Sequence, residues 1–157
     1  MARTDPGEEN RMNIRPMTMD DYDRIYALWM SCKNMGFNDK DDSREGIGKY
    51  LQRNPDTCFV ADRDGEIVGV ILSGHDGRRG FIHHLAVRED CRRQGIGEQL
   101  VTRGLEALKA QGINKVALLV FRRNEAGNAF WEKQGFAARD DVAYRNKALA
   151  ELIRIDT

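Results

Sequence analysis

The sequence has no surplus of charge: 25 Lys and Arg stand against 25 Asp and Glu. A coat for nucleic acid needs an excess of basic side chains to neutralise phosphates. A chain without that excess holds an anion only at a local site. Long apolar runs are missing as well, and nothing approaches the roughly 18–20 residues of a membrane-spanning helix. The stretch Met1–Arg11 is polar and has no apolar core, unlike a signal peptide, and reads as a flexible lead-in. Cysteine is sparse. Cys32, Cys58 and Cys91 are far apart and form no Cys-x-x-Cys pair, so neither a metal site nor a disulfide framework is indicated. Reduced thiols in a cytoplasmic protein are the expectation. Proline occurs only at Pro6, Pro16 and Pro55, and no repeat or linker divides the chain. What is present is 41% hydrophobic and 32% charged, the balance of a globule with a core. The length suits one domain, placed at residues 12–157.

The hydrophobic pattern sets the order of elements. Met12–Arg15 alternates as a short strand does. Thr18 and Asp21 have the spacing of a capping box ahead of a helix carrying Tyr22, Ile25, Leu28 and Trp29. A polar loop follows over residues 36–42. Ser43 can cap a second helix bearing Ile47, Tyr50 and Leu51, which Asn54-Pro55 ends. Three strands are predicted at Thr57–Ala61, Glu66–Ser73 and Phe81–Val87, joined by the turns Asp62–Gly65 and Gly74–Gly77 as an antiparallel meander. The period then changes. Ile96, Leu100, Val101, Leu105 and Leu108 share a helical face that Gly112 terminates. Val116–Phe121 is a continuous apolar run, as in a strand covered on both faces. Asn124 can cap a further short helix ending at Gly135, and the tail Ala137–Ile155 is expected to hold one or two more strands. The unit from Phe81 to Phe121 is a βαβ crossover, so its two strands should be parallel. The fold class is therefore α/β (α+β): a mixed, largely antiparallel central sheet with helices on its faces.

The segment Leu85-Ala86-Val87-Arg88-Glu89-Asp90-Cys91-Arg92-Arg93-Gln94-Gly95-Ile96-Gly97-Glu98 joins a strand to a helix. Gly95 and Gly97 put no side chain in a ligand's way, and a helix N-terminus offers free N–H donors and about half a positive charge. Arg88, Arg92 and Arg93 add full charges. No Gly-Lys-Ser/Thr follows, so this is not a P-loop, and the dinucleotide pattern G-x-G-x-x-G is absent. Read locally, the segment is either a pyrophosphate cradle or a tight turn with solvated arginines.

Arg92-x-x-Gly95-x-Gly97 resembles the Q/R-x-x-G-x-G/A signature of the GNAT superfamily of acetyl-CoA-dependent N-acetyltransferases. Asn124-Glu125-x-Gly127-Asn128-x-Phe130-Trp131-Glu132-Lys133-x-Gly135-Phe136 is similar to that family's second signature, N-x-x-A-x-x-L-Y-x-x-x-G-F. The resemblance spans about residues 12 to 155. It implies a splayed parallel strand pair with acetyl-CoA in the gap. It assigns Leu85, Ala86 and Val87 to pantetheine, and Arg92, Arg93, Gln94, Gly95, Ile96, Gly97 and Glu98 to the pyrophosphate. It places Asn124, Asn128 and Trp131 at the second strand's end, with Asn124 also suited to a plain helix cap. It implies acetyl-CoA as cosubstrate, no metal, an amine acceptor, and neither a nucleic-acid nor a membrane partner. A monomer and a homodimer both fit.

The reaction would be direct transfer of the acetyl group to a neutral amine. Many family members place a Glu base where this chain has Phe81, and a Tyr acid where it has Trp131. His83 is the favoured base, with His84 second. Simple alternation puts His83 on one face with Phe81 and Leu85, and arylalkylamine acetyltransferases carry a histidine at the matching place. Tyr144 is the candidate acid. For the acceptor, the resemblance points to the loop between the first two helices, where Phe37 and Asp39 are candidates together with His75 and Asp76 from the turn before the histidine strand. Asp39, Asp41 and Asp42 suit a cationic amine; a merely solvated loop fits equally. The alternative without the usual acid–base pair is a non-catalytic acyl-CoA-binding module. A nucleotide-binding α/β domain, resting on Arg78, Arg79, Arg88, Arg92 and Arg93, is a third reading.

Overall fold

A computed structural model describes residues 12–156. The lead-in expected over residues 1–11 lies outside the described residues. The elements are β1 (Met12–Pro16), α1 (Tyr22–Ser31), α2 (Arg44–Arg53), β2 (Cys58–Arg63), β3 (Glu66–His75), β4 (Gly80–Val87), α3 (Ile96–Ala110), β5 (Val116–Leu118) and α4 (Glu125–Lys133). They form a five-stranded sheet in the order β1-β2-β3-β4-β5. The first three pairings are antiparallel and β4–β5 is parallel. The crossover rule therefore holds for the unit that spans α3.

Local chemistry places the ends of the helices. The Thr18 amide donates to Asp21 Oδ2 at 2.9 Å. Ser43 Oγ accepts from the Gly46 amide at 3.0 Å, and Asn124 Oδ1 accepts from the Gly127 amide at 2.9 Å. These side chains satisfy amides that a helix start leaves without partners. Gly112 and Gly135 lie at φ +83° and +93° just beyond α3 and α4, a conformation glycine adopts without strain. Asp21 also anchors the N-terminal strand, receiving Arg15 at 2.7 Å and Arg24 at 2.7 Å. Burial opposes the Asp21 charge, but the Arg15 hydrogen bond, the Thr18 amide and the two guanidinium charges hold its pKa below the ordinary carboxylate range.

The helices cover both faces of the sheet. One core layer joins Ile25, Leu28, Trp29, Phe37 and Ile47 to Val60, Val70, Leu72 and Ala86. The other joins Ile96, Leu100, Val101 and Trp131 to Phe59, Val68, Ile71 and Ile82. Each layer removes a stripe of apolar side chains from water, the main driving force of folding.

Two expectations fail. The apolar run Val116–Phe121 is a strand only over Val116–Leu118, and these residues are half-buried or exposed, not covered on both faces. The tail contains no strand. One isolated bridge, Asn38 with Arg154, ties its end to the α1–α2 loop, and every residue from 137 to 154 is exposed. Its apolar residues have no neighbouring strand to lie against.

Candidate active site

β4 and β5 pair at only three positions, Gly80 with Val116, Phe81 with Ala117 and Ile82 with Leu118. Beyond Ile82, β4 runs on to Val87, whereas β5 ends at Leu118. The side of β4 from His83 to Val87 that faces away from β3 therefore has no strand on it. The Val87 carbonyl points into this opening and accepts from Arg92 Nε at 3.2 Å. Alternation turns the Leu85 main chain the same way. The α1–α2 loop closes one flank, with Cys32 Sγ 4.0 Å from the Val87 carbonyl. Phe130 of α4 and Gly97 of α3 close the other. Ala86 is buried in the α1 layer, so of this trio only Leu85 and Val87 turn their main chains to the opening.

The glycine turn sits at the mouth of the opening. Arg93 and Gly95 lie at φ +64° and +79°, and Gly95 immediately precedes α3. The first helical bond is Gln99 N–H to the Gly95 carbonyl at 3.1 Å, which leaves the amides of Ile96, Gly97 and Glu98 without helical acceptors. A Cβ at Gly95 would meet nothing within 4 Å, so that face is open space. A Cβ at Gly97 would instead meet Phe130 at 3.4 Å and Val87 at 3.6 Å. The two glycines thus differ: Gly95 permits the left-handed turn, whereas at Gly97 a Cβ would make ordinary contact with Phe130 and Val87.

The arginines divide. Arg92 and Arg93 are exposed beside the turn. Arg88 is committed elsewhere, to Glu66 at 2.9 Å and Asp90 at 2.6 Å. Arg63, which the sequence did not single out, reaches in from β2 and holds Gln94 Oε1 at 3.0 Å.

A bulge shapes the centre of β4. Leu72 pairs with His84 but Ser73 pairs with Ile82, so His83 is an extra residue without a partner on β3. Strict alternation is broken there. His83 contacts Phe81 (ring centroids 4.7 Å apart) and Tyr50 of α2 (5.3 Å). His84 packs on Phe37 at 4.5 Å and Trp29 at 5.3 Å. Both imidazoles therefore face the α1–α2 layer, with centroids 6.5 Å apart. Leu85 faces the α3 layer instead, correcting the expectation that it shares a face with His83.

The two histidines differ in surroundings. His83 keeps an open side, yet desolvation first and the neighbouring His84 second lower its pKa below 6.5, against the pull of Asp42 and Asp41. His84 is largely enclosed, and its Nε2 lies 2.7 Å from Asp42 Oδ1. Its Nδ1 is buried with no hydrogen-bond partner among the described residues. Asp42 is itself 4% exposed and also accepts from the Asn38 amide at 2.9 Å. The sequence grouped Asp42 with Asp39 and Asp41 as loop acids. Its pairing with a residue 42 positions later leaves no local signal.

Other candidates fall in varied places. Phe37 is a buried wall of the His84 box. Asp39 Oδ1 accepts from the Ile153 amide at 2.7 Å and lines a shallow cleft of about 400 Å³ with Tyr22, Tyr26, Asp42 and Arg44. His75 and Asp76 are not brought to the opening. They lie at the start of the hairpin, where His75 Nε2 meets Gln111 Oε1 at 2.6 Å and Asp76 accepts the Arg78 and Arg79 amides at 2.8 Å. Asn124 serves as a helix cap, and Asn128 Nδ2 donates to the Phe121 and Asn124 carbonyls at 3.0 and 2.8 Å. Trp131 is a core residue held between Phe130 and Phe136, not a wall of the opening. Tyr144 is exposed on the tail and makes no hydrogen bond among the described residues. No group of three or more metal-ligating side chains occurs among the described residues. No described helix is long and apolar enough to cross a membrane.

This architecture has relatives. A family model described as acetyltransferase (GNAT) family matches residues 22–136. An acetyltransferase of Sodalis glossinidius is 34% identical over 140 residues, covering 89% of this chain and 97% of that protein. An acetyltransferase of Pectobacterium atrosepticum is 31% identical over 140 residues, covering 89% and 98%. Among solved structures, the PaiA N-acetyltransferase of Thermoplasma acidophilum in complex with coenzyme A superposes with a TM-score of 0.73 at 18% identity, over 84% of this chain and 93% of that one. An Ard1 protein of Thermoplasma volcanium gives 0.72 at 24% identity, over 80% and 82%. With its sheet opening at the β4–β5 pair and a glycine turn at the mouth of that opening, the chain belongs to the GNAT family and is an acyltransferase.

Proposed function

We propose that the protein transfers the acetyl group of acetyl-CoA directly to a primary amine, on a small molecule or a protein N-terminus. The observation that carries the reading is the unpaired stretch of β4 ending at a turn whose free amides, with the exposed Arg92 and Arg93 beside them, suit a pyrophosphate. The Leu85 and Val87 main chains would hold pantetheine in the opening, which brings the thioester toward the bulge. There the amine nitrogen attacks the carbonyl carbon, a C–N bond forms, and the C–S bond breaks. The carbonyl oxygen gains charge that a β4 amide can stabilise.

The amine must lose a proton to attack. His83 is placed for that step, because its lowered pKa keeps it neutral near pH 7 and its open side admits water or substrate. His84, fixed by Asp42 and the Trp29 and Phe37 rings, positions the floor beside it. The departing thiolate takes its proton from solvent. The cleft bearing Asp39 and Asp42 draws a cationic acceptor to the same side of the sheet. The test is thiol release from acetyl-CoA over a panel of amines: polyamines, aminoglycosides, amino acids and peptide N-termini. Turnover with at least one amine is expected. Tight CoA binding without release for any amine would replace the enzyme with a binding module.

A further inference from the structure

Arg63 is the last residue of β2, paired with Met12 of β1 on one side and Glu66 of β3 on the other. From this fixed base its side chain reaches the segment that leads into the glycine turn. Nη1 donates to Cys91 Sγ at 3.7 Å, and Nη2 donates to Gln94 Oε1 at 3.0 Å. Nε is buried, so the head group is set into the wall instead of extending into water. Cys91 is buried as well, whereas Gln94 is exposed. One guanidinium thus spans both ends of the segment Cys91–Gln94.

That segment needs holding. Arg93 lies at φ +64°, which an L-residue adopts only at a cost. Such a conformation persists where the surroundings enforce it. The local main chain does not supply the constraint, because Arg93 and Gln94 make no backbone hydrogen bond among the described residues. The amides from Arg93 to Glu98 also follow one another without an acceptor among the described residues. The bond from Arg63 to Gln94 is therefore what ties the middle of the turn to the sheet.

We infer that Arg63 is a positioning residue for the diphosphate of CoA. Acting through Gln94, it presets the turn so that its successive amides converge on the anion. The inference rests on the acetyl-CoA reading above. It gives Gln94 a role apart from its neighbours: the side chain of Gln94 is committed to the tie, while Arg92 and Arg93 stay exposed beside the turn. A turn already ordered gives up no freedom when the anion binds, which favours affinity. Arg63 itself touches neither the ligand nor the reacting atoms.

Calorimetric titration with CoA and timed trypsin digestion of the ligand-free chain test it. Arg63→Met keeps an unbranched stem without the charge or the donors. It should bind CoA at least about tenfold more weakly. It should also be cut after Arg92 or Arg93 at least about threefold faster, because a released turn opens locally to protease. Gln94→Ala changes an exposed side chain and should show both effects. The double variant should bind no more than about twofold more weakly than the weaker single variant, since the two residues act through one contact. Arg63→Lys keeps a donor for Gln94 and should lose less than about threefold. Wild-type affinity in Arg63→Met overturns the inference. So does an equal loss on adding Arg63→Met to Gln94→Ala, which would put the guanidinium on the ligand or on the fold at large. Should Arg63→Met fail to fold, Gln94→Ala decides alone: unchanged affinity and cleavage overturn the inference. A wild-type chain that does not bind CoA removes the acetyl-CoA reading instead, and the digestion still decides whether Arg63 holds the turn.

Discussion

Replacing Gly95 with alanine separates two costs that a glycine motif usually merges. Gly95 sits at φ +79°, and a Cβ there meets nothing within 4 Å. The change therefore causes no clash inside the protein, only the conformational cost of a left-handed L-residue, about 1–2 kcal/mol. In a chain of this size 1 kcal/mol is about 2–4 °C of melting temperature, so a fall of roughly 2–8 °C is expected. The new methyl points into the open space over the turn, which the proposed function gives to the pyrophosphate. Gly97→Ala is the control. Its Cβ meets Phe130 and Val87 at 3.4 and 3.6 Å, close to ordinary contact, and alanine gains up to about 1 kcal/mol over glycine in a helix. Its melting temperature should stay within about 2 °C of wild type. The assays are differential scanning fluorimetry without ligand and calorimetric titration with CoA. Gly95→Ala should bind CoA at least about tenfold more weakly, a loss of 1.4 kcal/mol, and Gly97→Ala should lose less. An unchanged CoA affinity in Gly95→Ala would show that the turn is only a turn.

Two further predictions concern the α1–α2 side. Asp42→Ala strips the acceptor from His84 Nε2 and from the Asn38 amide, both buried or half-buried, and should cost roughly 3 kcal/mol in urea unfolding with an unchanged slope; a loss under about 1 kcal/mol would mean that water replaces the carboxylate. For His83, the lowered pKa means that the folded state binds fewer protons than the unfolded one, so its contribution to stability is present above 6.5 and declines as the pH falls below it. The acid limb of kcat/KM should accordingly lie below pH 6.5, and His83→Phe should abolish that limb; a limb unmoved by the substitution assigns the base elsewhere.

The elements that could be read in the sequence are those written in short-range code. Ser43 and Asn124 announce their helices because a cap acts over three residues. The glycine turn is legible because backbone conformation restricts residue type at the position itself. The parallel β4–β5 pair follows from chain handedness and needs no side chains. The site's inner part is different. Asp42 meets His84 only because α1 and its loop fold over β4, and nothing near either residue marks that contact. His75 and Asp76 carry suggestive chemistry but belong to the wrong end of the hairpin, a matter of register rather than composition. Trp131 occupies a motif position, yet burial between two phenylalanines decides its role. The tail forms no strand because a strand needs a partner within reach, and nothing in the composition of residues 137–155 tells whether one is there.

The bulge at His83 is a phase slip in β4. Residues of the same parity before and after it look to opposite sides, so Phe81 and Leu85, four positions apart, belong to different layers. Deleting His83 would cancel the slip, because Ile82 and His84 would become neighbours opposite Ser73 and Leu72 with both flanks of β4 still in their present register. The sheet itself therefore has no need of this residue. What the extra residue adds is a second imidazole beside His84 on the α1–α2 side.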